Sequence, residues 1–261
     1  MKLEVLLSVL KLDEKKLKKM NIETDCVVIN QCDEDSYKKN KNFKIYSYTE
    51  RGISISRNRC LEKATGDIVI LCDDDVIYKD DYKKIILEEF KNNKEADVIF
   101  FNLETINREA KLNKKNKRLH IYNSLKYGSS NIAFRREKVI ENNIKFNTLF
   151  GSNKYFKNGE DTLFIVDCLR KGLKLYSSTK LIGTVNHAES TWFKGYNEKY
   201  FFDKGALFCA ISKPLRKLLY LQYLLRYKNT YKELGFIRAY KCMEKGSKEY
   251  MKLKGTDKNE D

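Results

Sequence analysis

Three consecutive aspartates, Asp73, Asp74 and Asp75, directly follow the apolar run Ile68-Val69-Ile70-Leu71-Cys72. Like charges at the end of a buried strand repel one another and become tolerable where a cation sits among them. Hard divalent ions such as Mg2+ and Mn2+ take oxygen ligands, and Mg2+ is commonly shared between one or two carboxylates and substrate phosphates. The run is therefore a candidate for a metal-assisted phosphate site. Its competing reading is a solvated acidic turn that caps the next helix.

Two other groups carry chemistry of the same kind. In a predicted helix over residues 54–64, Arg57, Cys60, Leu61 and Ala64 share one face by the i, i+3, i+4, i+7 rule. Arg57 then points towards the sheet from the first helical turn, where the macrodipole disfavours a cation. A nucleotide phosphate or an aspartate of the cluster would supply the anion it needs; the alternative is a side chain that snorkels to the surface. Further on, Glu160 and Asp161 open a helix whose inward face is Phe164, Ile165, Cys168 and Leu169. Acidic residues in a first turn stabilise the helix dipole. The same position keeps a carboxylate ionised and able to take a proton from a hydroxyl.

The elements that must position these residues alternate in type. Strand-like runs at 4–9, 26–30, 43–48, 68–72 and 96–103 are separated by helix-type runs at 13–20, 54–64 and 80–91. This pattern predicts an α/β fold with a mostly parallel sheet and helices on both faces. Such sheets bind ligands at the carboxyl ends of their strands. Asp33, just after the second strand, and Asp73 to Asp75 both fall on that edge. Residues 108–118 are basic and aperiodic and read as a loop. Strands return at 129–134, 173–176 and 181–185, with a helix over 160–170 between them. After about residue 201 the pattern is helical.

The chain has 261 residues, 42% hydrophobic and 12% aromatic, enough for a core and against global disorder. Its net charge of +16 suits an anionic partner, although a lysine-rich composition accounts for much of it. Seven irregularly spaced cysteines without a C-x-x-C pair argue against a disulfide framework and for a reducing, cytoplasmic setting. Two histidines and no thiolate pairs make a structural zinc site improbable. No signal peptide and no apolar run of about 18 residues is evident.

Several segments together carry a resemblance. Glu50-Arg51-Gly52-Ile53-Ser54-Ile55-Ser56-Arg57-Asn58, Ala64-Thr65-Gly66-Asp67 and the triple Asp come first. Gly128-Ser129-Ser130-Asn131-Ile132-Ala133-Phe134-Arg135-Arg136 and Gly159-Glu160-Asp161 follow. In order and spacing this resembles glycosyltransferase family 2 with the GT-A fold, over roughly residues 1–200. Bacterial members that build capsular or other surface polysaccharides are the most similar. The resemblance implies an inverting transfer from a nucleotide-diphosphate sugar, a UDP-sugar foremost, to a glycan or lipid-linked acceptor, with Mn2+ or Mg2+ as cofactor. It implies that Asp33 contacts the base or ribose, that Arg57 lies near the nucleotide, and that Asp73, Asp74, Ser129 and Asn131 also belong to the donor site. Asp75, with Asp73, would hold the metal, and His187 resembles a third ligand found in some members. Asp161 resembles the general base, with Glu160 as the second candidate. The loops Leu10-Lys11-Leu12-Asp13 and Gln31-Cys32-Asp33-Glu34-Asp35 depart from the family pattern, which leaves the base of the nucleotide open.

Residues 1–200 thus read as the nucleotide-sugar-binding and catalytic domain, and 201–261 as a basic helical extension. From 203 to 261 there are 14 lysines and arginines against 7 acidic residues. Within it, residues 215–227 are apolar almost all round a helix and have basic ends. An all-round apolar helix packs on its own domain or on a second subunit of a homodimer. Aromatics with basic ends suit peripheral contact with an anionic leaflet, at the inner face of the membrane. A basic nucleic-acid-binding or nucleotidyl-transfer protein is the alternative that the charge permits, but no helix-turn-helix, RNP-like or zinc-finger pattern supports it, and no nucleic-acid partner is expected. An Asp-nucleophile phosphatase would carry Thr where Ile77 stands.

Overall fold

The computed structural model describes residues 1–106, 112–124, 127–128, 130–151, 155–186 and 195–256. The chain divides into two units, Met1–Thr148 with Glu160–Glu189, and Leu149–Gly159 with Ser190–Asp261.

In the first unit the elements run β1 (Leu3–Leu10), α1 (Glu14–Lys19), β2 (Asp25–Gln31), β3 (Ser36–Asn40), β4 (Phe43–Tyr48), α2 (Ile53–Lys63), β5 (Ile68–Asp73) and β6 (Val76–Tyr78). They continue with α3 (Tyr82–Asn92), β7 (Val98–Ile106), β8 (Lys117–Leu119), α4 (Ile121–Ser124), β9 (Ile132–Arg135), α5 (Arg136–Glu141), α6 (Glu160–Arg170) and β10 (Leu175–Asn186). The sheet order is β3-β4-β2-β1-β5-β9-β7-β10-β6, with β8 pairing to β10. The β-α alternation produces the parallel block β4-β2-β1-β5. Beyond it, β9 inserts antiparallel between β5 and β7. The two short strands expected at 173–176 and 181–185 form one strand, β10, broken by register shifts around Leu181.

Strand β1 shows why the sheet is a two-faced core. Its near-continuous apolar sequence is that of a parallel strand covered on both sides. Leu3, Val5, Leu7 and Val9 pack with Leu17 of α1 and with Tyr82, Ile86 and Phe90 of α3. Leu6 faces the other way, with Cys60 and Leu61 of α2, Val139 of α5 and Phe164 of α6. The helices α2 and α6, which carry Arg57 and the Glu160-Asp161 pair, therefore share one face of the sheet.

A charged residue lies within this core. Glu4 of β1 is fully buried. Its carboxylate accepts from the backbone N–H of Thr65 at 2.6 Å and of Gly66 at 2.8 Å, and Lys44 lies at 3.6 Å. A side chain at Gly66 would bring a Cβ within 2.7 Å of Glu4 Cβ. The Ala64-Thr65-Gly66-Asp67 turn is thus a structural device at the N-terminal end of β5, and Asp73 stands at the opposite end.

The second unit contains α7 (Glu198–Ile211), α8 (Arg216–Arg226) and α9 (Phe236–Thr256). Helices α7 and α9 cross with their backbones in contact. A Cβ on Gly205 would collide with the Met243 carbonyl, and one on Gly246 with the Phe202 carbonyl. Only glycine permits that approach. Helix α8 buries Tyr220 and Leu224 in a cluster with Phe201, Ala239 and Met243. Leu219 and Tyr223 are partly buried, whereas Leu218, Leu221 and Leu225 are exposed. Among the described residues no helix is long and apolar enough to cross a membrane. All seven cysteines are free thiols.

Candidate active site

Three chain ends meet on the α2/α6 side of the sheet: the first turn of α2, the last residue of β5 and the first turn of α6. Gly52 (φ 131°) and Gly159 (φ 127°) directly precede the two helices. This backbone is open to glycine and rarely adopted by other residues.

Arg57 is the centre of the arrangement. It is buried, 4% exposed, as its inward-facing position on α2 predicts. Its guanidinium donates to Asp161 at 2.5 Å and to Glu160 at 3.3 Å through one nitrogen, and to Asp73 at 3.2 Å through another. Its charged carbon lies 5.5 Å from the centroid of the Phe146 ring, and that ring stacks on Phe164 of α6 at 4.4 Å. The neighbouring Asn58 fixes the Phe146 backbone, accepting from its N–H at 2.8 Å and donating to its carbonyl at 2.9 Å. The sequence marked Arg57 as a site residue and Asn58 only as its neighbour in the family motif, and it did not single out Phe146. The visible signal was the Arg57-Asn58 pair, of which one member bonds inward to carboxylates and the other to a loop.

The electrostatics follow from burial and crowding. Burial alone would lower the Arg57 pKa, but Asp161, Asp73 and Glu160 outweigh it and raise it further. Burial, and then the Asp161 charge, push Glu160 up to about 7 against the pull of Arg57. Asp75 is pushed up to about 6 by burial and then by Asp73 and Asp74. Asp74 forms an ion pair with Lys16 of α1 at 3.1 Å. The three aspartates thus have distinct surroundings: Asp73 on Arg57, Asp74 on Lys16, and Asp75 in a half-buried, negatively charged setting.

The other sequence candidates lie as follows. Asp33 has a largely exposed side chain and pairs with Arg51 at 2.7 Å and Lys11 at 3.5 Å, apart from the Arg57 cluster. Asn131 donates to the Phe101 carbonyl at 2.9 Å, and its buried Oδ1 has no hydrogen-bond partner among the described residues. Ser129 and His187 lie outside the described residues. Asn186, which precedes His187, donates its backbone N–H to the Asp75 carbonyl at 3.0 Å. A groove of about 600 Å³ lies wholly in the second unit, lined by Tyr155, Phe156, Lys199, Phe202, Lys245 and Glu249 among others, and contains none of the site carboxylates.

Among the described residues no group of three or more His, Cys, Asp or Glu side chains converges as a metal cage. Mg2+ does not need one, because one or two carboxylates plus substrate phosphates and waters suffice. Asp75 is the candidate among these carboxylates: burial and the charges of Asp73 and Asp74 disfavour its ionised form, which a cation would favour.

A model of glycosyl transferase family 2 matches residues 24–158, more than half of the chain. The chain belongs to glycosyl transferase family 2. It is a glycosyltransferase, and the match includes Asp33, Arg57, Asp73 to Asp75 and Asn131 but ends before Glu160. Its fold is similar to that of S. aureus TarS 1-349 solved in complex with UDP-GlcNAc (TM-score 0.64, 15% identity, 97% of this chain and 92% of that one). A longer S. aureus TarS structure matches at TM-score 0.63 and 16% identity over 90% of this chain, which spans 46% of that chain. The mannosyltransferase PcManGT from Pyrobaculum calidifontis, in complex with GDP-Man and Mn2+, matches at TM-score 0.53 and 13% identity over 94% of this chain and 73% of that one. These likenesses are of fold, the GT-A arrangement of a central sheet between helices. No curated protein sequence matches the chain.

Proposed function

We propose that this family 2 enzyme moves a sugar from a nucleotide-diphosphate donor, a UDP-sugar foremost, to a hydroxyl of a glycan or lipid-linked acceptor, with inversion, in the building of a bacterial surface polysaccharide. The observation that carries the reading is the Arg57 bridge, which ties Asp73 at the end of β5 to Glu160 and Asp161 at the start of α6. The UDP-GlcNAc, UDP and GDP-Man complexes of proteins with the same fold support the donor class. On this reading residues 1–200 carry donor binding and chemistry, and residues 201–261 are an appended helical extension.

The residues divide the work. Asp73 faces the ribose, and Asp33 and Asn131 bind the nucleotide side of the donor. Asp75, with Asp73, would hold Mn2+ or Mg2+ on the diphosphate. Bound there, the ion would supply positive charge to offset the negative charge of the leaving diphosphate. Asp161 is the general base because its side chain is the more accessible, 23% against 13% for Glu160. It takes the proton of the acceptor hydroxyl as that oxygen bonds to the anomeric carbon, and the bond to the nucleoside diphosphate breaks with its electron pair on the departing oxygen. One displacement inverts the centre. Burial and the Asp161 charge raise the pKa of Glu160 to about 7, which favours its protonated form beside Asp161.

The test is a thermal-shift screen of nucleotide sugars with and without Mn2+, followed by NMR of the product anomer. Stabilisation by one nucleotide sugar and an inverted anomer are expected. Retention of anomeric configuration would overturn the single displacement.

A further inference from the structure

Helix α8 has one face packed and one face open. Tyr220 and Leu224 are buried in their own unit. Leu218, Leu221 and Leu225, at i, i+3 and i+7, are 62%, 41% and 62% exposed. Leu215 before the helix is exposed as well, at 55%. Single exposed leucines are ordinary, but a continuous stripe of them marks an interaction surface.

The charge around the stripe has one sign. Between positions 213 and 232 there are six lysines and arginines and no acidic residue. By helical geometry Lys217 and Arg226 flank the leucines on opposite sides, and Lys213 and Lys228 stand beyond the two ends. A second copy of the chain would set these cations against their own equivalents, with no carboxylate in the segment to neutralise them, and like charges facing each other oppose association. A leucine stripe within a cationic rim matches a different partner. It lies in a lipid interface with leucines among the upper acyl chains and cations among anionic headgroups. We propose that α8 docks this protein on the surface of an anionic membrane. The inference is independent of the transfer reaction described above.

The experiment is flotation of the full chain with vesicles of phosphatidylcholine alone and with equal-part phosphatidylcholine–phosphatidylglycerol vesicles. The protein should float with the anionic vesicles, remain behind with the neutral ones, and be released by salt. A Leu218→Gln/Leu225→Gln variant, with unchanged circular dichroism, should lose about tenfold or more of its vesicle partitioning, and Lys217→Glu/Arg226→Glu should lose it as well. Three results would overturn the proposal: failure of the wild type to float with anionic vesicles; flotation that survives the leucine changes, which would reduce α8 to a plain cationic patch; or a wild-type dimer in gel filtration that the leucine changes convert to monomer, which would assign the stripe to a second copy.

Discussion

Arg57 and Asp161 meet at 2.5 Å across 104 residues of chain, and the same guanidinium holds Asp73 at 3.2 Å. A single cation thus couples the end of a strand to the start of a helix. Removing it would leave three carboxylates close together in a buried setting, and breaking a buried ion pair in this way costs roughly 3 kcal/mol or more. Arg57→Ala should lower stability by about that amount in urea titrations. Arg57→Lys should recover part of the stability but little of the turnover, because an ammonium does not span three carboxylates in the way the planar fork does.

The two carboxyl groups of α6 should separate in kinetics. Asp161→Asn should cut kcat by about a thousandfold, within the usual range for a lost general base, and leave donor binding intact in a thermal-shift titration. Glu160→Gln should keep considerably more activity. Near-wild-type turnover of Asp161→Asn would transfer the role to Glu160.

Glu160 also makes a pH prediction. Its folded pKa of about 7 lies above the ordinary 4.5, so the fold favours its protonated form. That contribution is complete below about 4.5 and is lost as pH rises through about 7. Wild-type stability should therefore fall between these values, and Glu160→Gln, which cannot ionise, should fall less. Urea midpoints for both proteins at either end of the window measure the difference.

Asp75 is the carboxylate assigned to the cation. Excess EDTA should abolish transfer, and added Mn2+ should raise the melting temperature in the presence of nucleotide. Asp75→Ala should lose that Mn2+-dependent shift, whereas Asp74→Ala, which removes the ion pair with Lys16, should keep it. Full activity in EDTA would remove the metal from the reaction.

The crossing of α7 and α9 gives a prediction about stability alone. Gly246→Ala would drive a Cβ into the Phe202 carbonyl. It should destabilise the second unit by about 2 kcal/mol, as overpacked cores do, and be visible in thermal melts.

Much of the frame was legible because each central strand is a short apolar run and each helix shows its own period. Helix α6 matches its expected bounds, 160 to 170, since acidic residues mark its start and Gly172 follows its end. The antiparallel insertion of β9 was not legible, because strand direction leaves no trace in hydrophobic periodicity. Strand β10 read as two strands because exposed Thr179 and Lys180 interrupt its apolar pattern. The inward aim of Arg57 followed from helical spacing, but its partners, 16 and 103 or 104 residues away, did not. Phe146 lies in an aperiodic loop, so nothing local announced its stacking. On α8 the tyrosines and leucines looked equally apolar, and only packing separated the covered face from the open one.

The Glu4–Gly66 contact has a consequence for how this chain can drift. The acid needs the two N–H groups of a turn 61 and 62 residues away, and the turn leaves no room beside it for a side chain. Gly66 cannot gain a side chain while any residue with a Cβ stands at position 4, and position 4 must keep a side-chain acceptor for the two N–H groups. Descendants of this sequence should therefore hold glycine at 66 and tolerate at position 4 only a residue that still accepts from the turn.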